Sequence, residues 1–192
     1  MNILQSILLV GASASLLLAA PQTKQDKELQ SVIKTGKSSS KILLKTLGKN
    51  MKKHMKKGGV MDALNFCTKE AYTLTEKVNT KLPKGVQAKR ISANYRNPSN
   101  TPTENELKIL NSLQALQESH VILPKFVIEK VGMHTYKFYK PLVITKKVCL
   151  KCHGDVKDID LKRAISKNYP LDKAMGYKMG DLRGAIVITI KK

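Results

Sequence analysis

The sequence predicts an α+β domain in which N-terminal helices precede an antiparallel sheet. Three observations lead there. Up to about residue 119 the apolar residues recur at three- and four-residue spacings, the helical signature. Beyond Pro124 they gather into β-branched and aromatic runs of strand length. Helical runs followed by strand runs are the α+β order, not the alternation of a parallel α/β fold. At 192 residues the chain has the size of one domain with length enough for a real core.

The first twenty residues carry no charge, and Ile3–Ala20 is an almost continuous run of apolar and small residues ending before Pro21. This reads as a signal peptide, residues 1–20. An uncleaved anchor is the competing reading, because eighteen residues just suffice to span a bilayer. Either way residues 21–192 are expected to be exported, with a bacterial periplasm as the destination. Residues 21–36 are polar and of mixed charge and read as a linker or a frayed helix start. Lys37, Lys41, Lys45, Lys49, Lys53 and Lys57 then recur every fourth position, with Leu43, Leu47, Met51 and Met55 as a second stripe. Together they describe an amphipathic basic helix, either packed on its own domain or lying on an anionic surface.

Gly58-Gly59 interrupts this pattern, and Val60, Leu64, Cys67 and Ala71 resume a helical face that carries the Cys67 thiol toward the core. Pro83-Lys84-Gly85 marks a turn, and "NYRNPSNTP" (94–102) a loop. Thr103-Glu104-Asn105-Glu106 is a capping box that opens a helix running to about Ser119, with Leu107, Leu110, Leu113 and Leu116 as its apolar stripe. Phe126–Val131, Thr135–Ile144 and Gly184–Ile190 are the strand candidates. The last, almost wholly apolar, is expected to be an inner strand.

The net charge of +21 lies on the exported part and is almost all Lys; the arginines are Arg90, Arg96, Arg163 and Arg183. Such a charge ordinarily suggests nucleic acid. Export excludes that partner and favours an acidic redox or signalling protein, or an anionic membrane surface. A merely solvated lysine-rich surface accounts for the charge equally well.

Three cysteines in an oxidising compartment leave one thiol over after any disulfide. Two of them lie in "VCLKCHGD" (148–155), a Cys-x-x-Cys-His motif. This is the attachment signature of c-type haem. The spacing lets Cys149 and Cys152 each add to a porphyrin vinyl group while His153 reaches the iron. A redox thiol pair would need a βαβ setting that the element order does not offer. Structural zinc would need further ligands that no spacing supplies. Haem c is therefore the reading, with His153 as proximal ligand. The distal candidates are Cys67, Met175, Met179, His54, His120 and His134. Cys67 is the odd cysteine, and its two readings, iron ligand or inert buried thiol, stand level on the residues alone.

Four stretches carry a resemblance. "GGVMDALNFCTKEA", "KRISANYRNPSNTPTENE", "KPLVITKKVCLKCHG" and "YPLDKAMGYKMGDLRGAI" together cover roughly residues 50–190. In these the chain resembles a c-type haem family long classed as a domain of unknown function, typified by a cyanobacterial haem protein with a PAS-like domain. The resemblance implies a PAS-like haem domain over residues 58–192 and one covalent haem. It also implies His/Cys ligation, which by position falls on His153 and Cys67. It suggests redox or gas sensing, or low-potential electron transfer, without enzymatic activity; a stand-alone chain is expected to act through a partner or as a carrier. Reduction is expected to loosen the bond to Cys67 and open a site for a diatomic gas. A haem-dependent peroxidase or reductase with an open distal site is the alternative. Haem propionates suit the guanidinium fork, so Arg90 or Arg96 is expected to contact one, a loop salt bridge being the competing role. Tyr139 is expected to line the pocket or to serve as an ordinary strand aromatic.

Overall fold

The computed structural model describes residues 23–192; the expected signal segment, residues 1–20, lies outside them. The described chain is α+β, with a four-stranded antiparallel sheet of order β1-β4-β3-β2. The strands are β1 (Val86–Ile91), β2 (Val127–Gly132), β3 (Thr135–Val143) and β4 (Leu182–Lys191). As expected from its apolar run, β4 is an inner strand, paired with β1 on one side and β3 on the other.

Helix α1 (Lys24–Lys69) is 46 residues long and starts at a capping box between Thr23 and Asp26. It kinks at Gly58 and Gly59, where Gly59 takes φ 69°, a left-handed conformation that glycine adopts at little cost. Val32, Gly36, Ser39, Ser40 and Leu43 form its buried stripe. A Cβ on Gly36 would overlap the Phe138 ring, so glycine sets how closely α1 approaches the sheet. The helix α2 (Ala71–Asn79) follows, and the Asn79 side chain clasps the Ala88 backbone, donating to its carbonyl at 3.1 Å and accepting from its N–H at 2.8 Å. That pairing satisfies the Ala88 backbone on the outer edge of β1.

Two hydrophobic clusters lie on opposite faces of the sheet. On one face α1 and α2 pack Val32, Leu43 and Val78 against Phe138, Ile186 and Ile188. On the other, α3 (Glu104–Glu118) packs Leu110 against Ile91, Tyr139 and Val187. A third cluster joins Leu64 of α1 to Leu161 and Ile165 of α5 (Ile159–Asn168). The short helix α4 (Lys147–His153) and α5 both lie between β3 and β4 in the chain.

Three expectations are sharpened by the structure. Residues 24–57 form the first half of α1 and pack inside the same core, so the second reading of the segment ahead of Lys37, a helix start, and the first reading of the basic helix, packed on its own domain, are the ones the structure shows. The buried stripe combines Val32 and Leu43 with Gly36, Ser39 and Ser40, small residues that carry no apolar periodicity. Lysines 37, 41, 45, 49, 53 and 57 are all exposed. The α+β class holds, with one strand, β1, lying ahead of α3 and unanticipated, and with α4 and α5 between β3 and β4. β1 reads "VQAKRI", polar enough to escape notice as an edge strand. Tyr139 is fully buried on the α3 face of the sheet, and its hydroxyl donates to Glu129. It takes the second of its expected roles and does not line the pocket.

Among the described residues no helix is long and apolar enough to cross a membrane.

Candidate functional site

The motif "KVCLKCH" folds as α4. In a helix, positions i, i+3 and i+4 share a face, so Cys149, Cys152 and His153 point the same way. That face looks into a cavity of about 260 Å³. Helix α1 lines the same cavity, with Cys67 and Leu64 from beyond the Gly58–Gly59 kink and Met51 and Met55 from before it. Arg90 from β1, Arg96 and Asn97 from the following loop, Tyr169 and Arg183 complete the wall. The cavity is not the largest concavity of the molecule. A cleft of about 600 Å³ opens between α1 and β3, but no cysteine or histidine lines it.

All three cysteines are free thiols. Among the described residues no three His, Cys, Asp or Glu side chains gather closely enough to hold a bare metal ion. Burial pushes the Cys67 thiol pKa up, against the opposing influence of Arg90 and Arg96. Burial likewise raises Cys152.

His153 is held by its backbone surroundings. Its Nδ1–H donates to the Ala174 carbonyl at 2.8 Å, which leaves Nε2 with the lone pair. Burial, reinforced by the positive charges of Arg183 and Arg96, pushes its pKa down to about 3. The imidazole is thus neutral at every ordinary pH. The two chain strands around it are also tied, by Tyr177 N–H to the His153 carbonyl at 2.9 Å and Gly176 N–H to the Gly154 carbonyl at 3.1 Å.

The arginines divide by role. Arg96 is buried and forms a fork with Asp172, both bonds 3.1 Å. Its Nη2 also donates to the carbonyls of Cys152 at 2.7 Å and Ala174 at 3.3 Å. Arg96 therefore braces the end of α4 and the acceptor of His153, the loop-clasp role. Arg90 differs: its buried Nε has no hydrogen-bond partner among the described residues. Burial works against its charge, so an anion in the cavity would satisfy it. Arg183 stacks on Tyr177 at 5.2 Å and donates to Ser92 Oγ at 2.6 Å.

Of the six distal candidates only Cys67 lines this cavity. His54 pairs with Asp62 at 3.0 Å across the kink and stacks on Phe66. Met175 packs with Leu64 and Leu161 in the α1–α5 cluster. His120, His134 and Met179 are exposed. Sequence reasoning missed Arg183, Asp172, Met51 and Met55 as site residues. The signal for Arg183 was the scarcity of arginine: three of the four line the cavity.

Fold and site together define an α+β domain whose central cavity is walled by two motif thiols, the adjoining imidazole, a third thiol and guanidinium groups. The chain belongs to the Tll0287-like family, whose model matches residues 19–191. It is also similar to a solved structure, the crystal structure of the cyanobacterial heme-protein Tll0287. The two share 19% sequence identity, with a TM-score of 0.57 over 86% of this chain and 96% of that one. At that identity the likeness speaks for the fold. No curated protein matches the chain.

Proposed function

We propose that the chain is an exported protein carrying one c-type haem, with Cys149 and Cys152 as attachment residues and His153 and Cys67 as axial ligands. One observation carries the reading: a single cavity gathers these four side chains from α4 and α1, two elements far apart in sequence. The relationship to a cyanobacterial heme-protein supports the cofactor. The residues also fit it. Both motif thiols are free, His153 Nε2 is available, and the unpartnered Arg90 Nε suits a propionate.

When bound, haem supplies one-electron redox chemistry at iron. The protein's part is to fix His153 through Ala174 and Arg96, and to bring Cys67 to the same cavity. A soft thiolate donor favours the oxidised metal and a low reduction potential. If His153 and Cys67 both held the haem iron, the arrangement would favour redox sensing, gas sensing or low-potential electron transfer over catalysis. Peroxidase or reductase chemistry needs an open iron position, which Cys67 would close. The exposed lysines of α1 favour an acidic redox or signalling partner in the periplasm.

The test is the purified protein beside Cys67→Ala. Haem staining that survives a denaturing gel, with a pyridine haemochrome spectrum of the thioether-linked type, is expected for both. The low-spin ferric EPR signal of the wild type is expected to be lost or shifted in Cys67→Ala. Identical EPR spectra would remove Cys67 from the iron, and a high-spin five-coordinate wild type would favour catalysis.

A further inference from the structure

The larger cleft, about 600 Å³, lies between α1 and β3 and has no part in the site described above. Its size falls in the range of roughly 300–1,000 Å³ usual for small-molecule sites. The floor is apolar. Phe126 stacks on the buried Phe138 at 5.0 Å with planes 20° apart, and Leu44 stands exposed beside them. The rim is cationic: Lys37, Lys41 and Lys45 from α1 face Lys125 and Lys140 from the other wall. No acid lines the cleft, and none of these five lysines forms an ion pair among the described residues. Lys37 Nζ lies 5.0 Å from the Phe126 ring, covering one end of the floor.

Like charges crowded over an apolar surface are complemented by a molecule with one anionic end and an apolar body. We propose that this cleft binds a free amphipathic carboxylate, its carboxylate among Lys41, Lys125 and Lys140 and its hydrocarbon against Leu44 and Phe126. The five lysine charges beside this apolar floor, unpaired among the described residues, complement the single carboxylate and hydrocarbon chain of such a molecule. Nothing in the proposal depends on haem at the other site.

The experiment is isothermal titration of the purified full chain with decanoate below its micellar concentration. One decanoate per chain is expected to bind. Leu44→Gln and Lys125→Glu are each expected to weaken binding about tenfold or more, while Lys49→Glu, on the same helix outside the cleft, leaves it unchanged. Decanol, with the same chain and no charge, is expected to bind at least about tenfold more weakly. Thermal melting of each variant checks that the fold is intact. Absence of decanoate binding, equal weakening by Lys49→Glu, or equal affinity for decanol would overturn the proposal. So would retention on phosphatidylglycerol vesicles that Leu44→Gln leaves unaltered while decanoate fails to bind, because the lysines would then serve a membrane surface.

Discussion

The imidazole of His153 donates from Nδ1 to the carbonyl of Ala174 at 2.8 Å, and Arg96 donates to that same carbonyl at 3.3 Å. Asp172 closes the arrangement. Its Oδ1 accepts from Arg96 Nε at 3.1 Å and from the Ala174 N–H at 2.9 Å. One buried ion pair thus holds both the carbonyl that orients the histidine and the residue that carries it. Such outer partners fix a ligand's tautomer and ring plane.

Asp172→Asn is expected to leave Arg96 buried without its counter-charge. Removing one partner of a buried pair costs about 3–5 kcal/mol, and urea unfolding measures it. Restoring a carboxylate one methylene away, with Asp172→Glu, is expected to recover only part, because the fork at 3.1 Å is set by side-chain length.

Glu106 offers a pH-dependent test. Its carboxylate is fully buried and accepts from Lys89 at 2.8 Å, Lys137 at 2.9 Å and the Thr103 N–H at 2.9 Å. Burial alone would raise its pKa, but the hydrogen bonds from Lys89, Thr103 and Lys137 outweigh it and the pKa falls below the ordinary value. A depressed carboxyl stabilises the fold above its unfolded pKa of about 4.3 and loses that contribution as pH falls through the lower folded value. Glu106→Gln is expected to cost roughly 1–3 kcal/mol at neutral pH. The difference from wild type should shrink in acid, as followed by denaturant midpoints between neutral pH and pH 3.

Two glycines of α1 should respond with opposite sign. Gly36→Ala would drive a methyl group into Phe138, and overpacking of this kind costs about 1–3 kcal/mol. At Gly48 nothing stands within 4 Å of an added Cβ. Gly48→Ala is expected to stabilise by about 0.5–1 kcal/mol through better helix propensity. Thermal melts of the two variants decide it, and a loss at Gly36 also tests whether the N-terminal half of α1 belongs to the core.

Cys149→Ser with Cys152→Ser is expected to abolish haem staining on a denaturing gel of the exported protein. Retained staining would move the attachment elsewhere.

Much of the architecture was legible in the sequence because its signals are local. The capping box at Thr103 and Glu106 starts α3, and the apolar runs mark β2, β3 and β4. β1 was not legible, since an edge strand carrying Gln87, Lys89 and Arg90 lacks the expected alternation. The packing of the N-terminal helix was legible only in part: Leu43 and Leu47 of its expected stripe meet the core, but the close approach through Gly36, Ser39 and Ser40 carries no hydrophobic signal. Leu107 and Leu116 of the α3 stripe are exposed while Glu106 is buried, because the two lysines facing it satisfy the charge.

By itself the sequence determined the chemistry of α4: spacing alone puts Cys149, Cys152 and His153 on one helix face, because helix geometry depends only on near neighbours. The choice of what faces them was decided by the tertiary structure. Cys67, Met175, Met179, His54, His120 and His134 were all candidates along the chain, with Cys67 singled out only by its odd count and by resemblance, and Arg90 and Arg96 were equivalent cations. The fold carries Cys67 to the cavity, turns His54 to Asp62, closes Arg96 on Asp172 and leaves Arg90 open. These outcomes depend on contacts between residues tens of positions apart, which packing sets and no local spacing records.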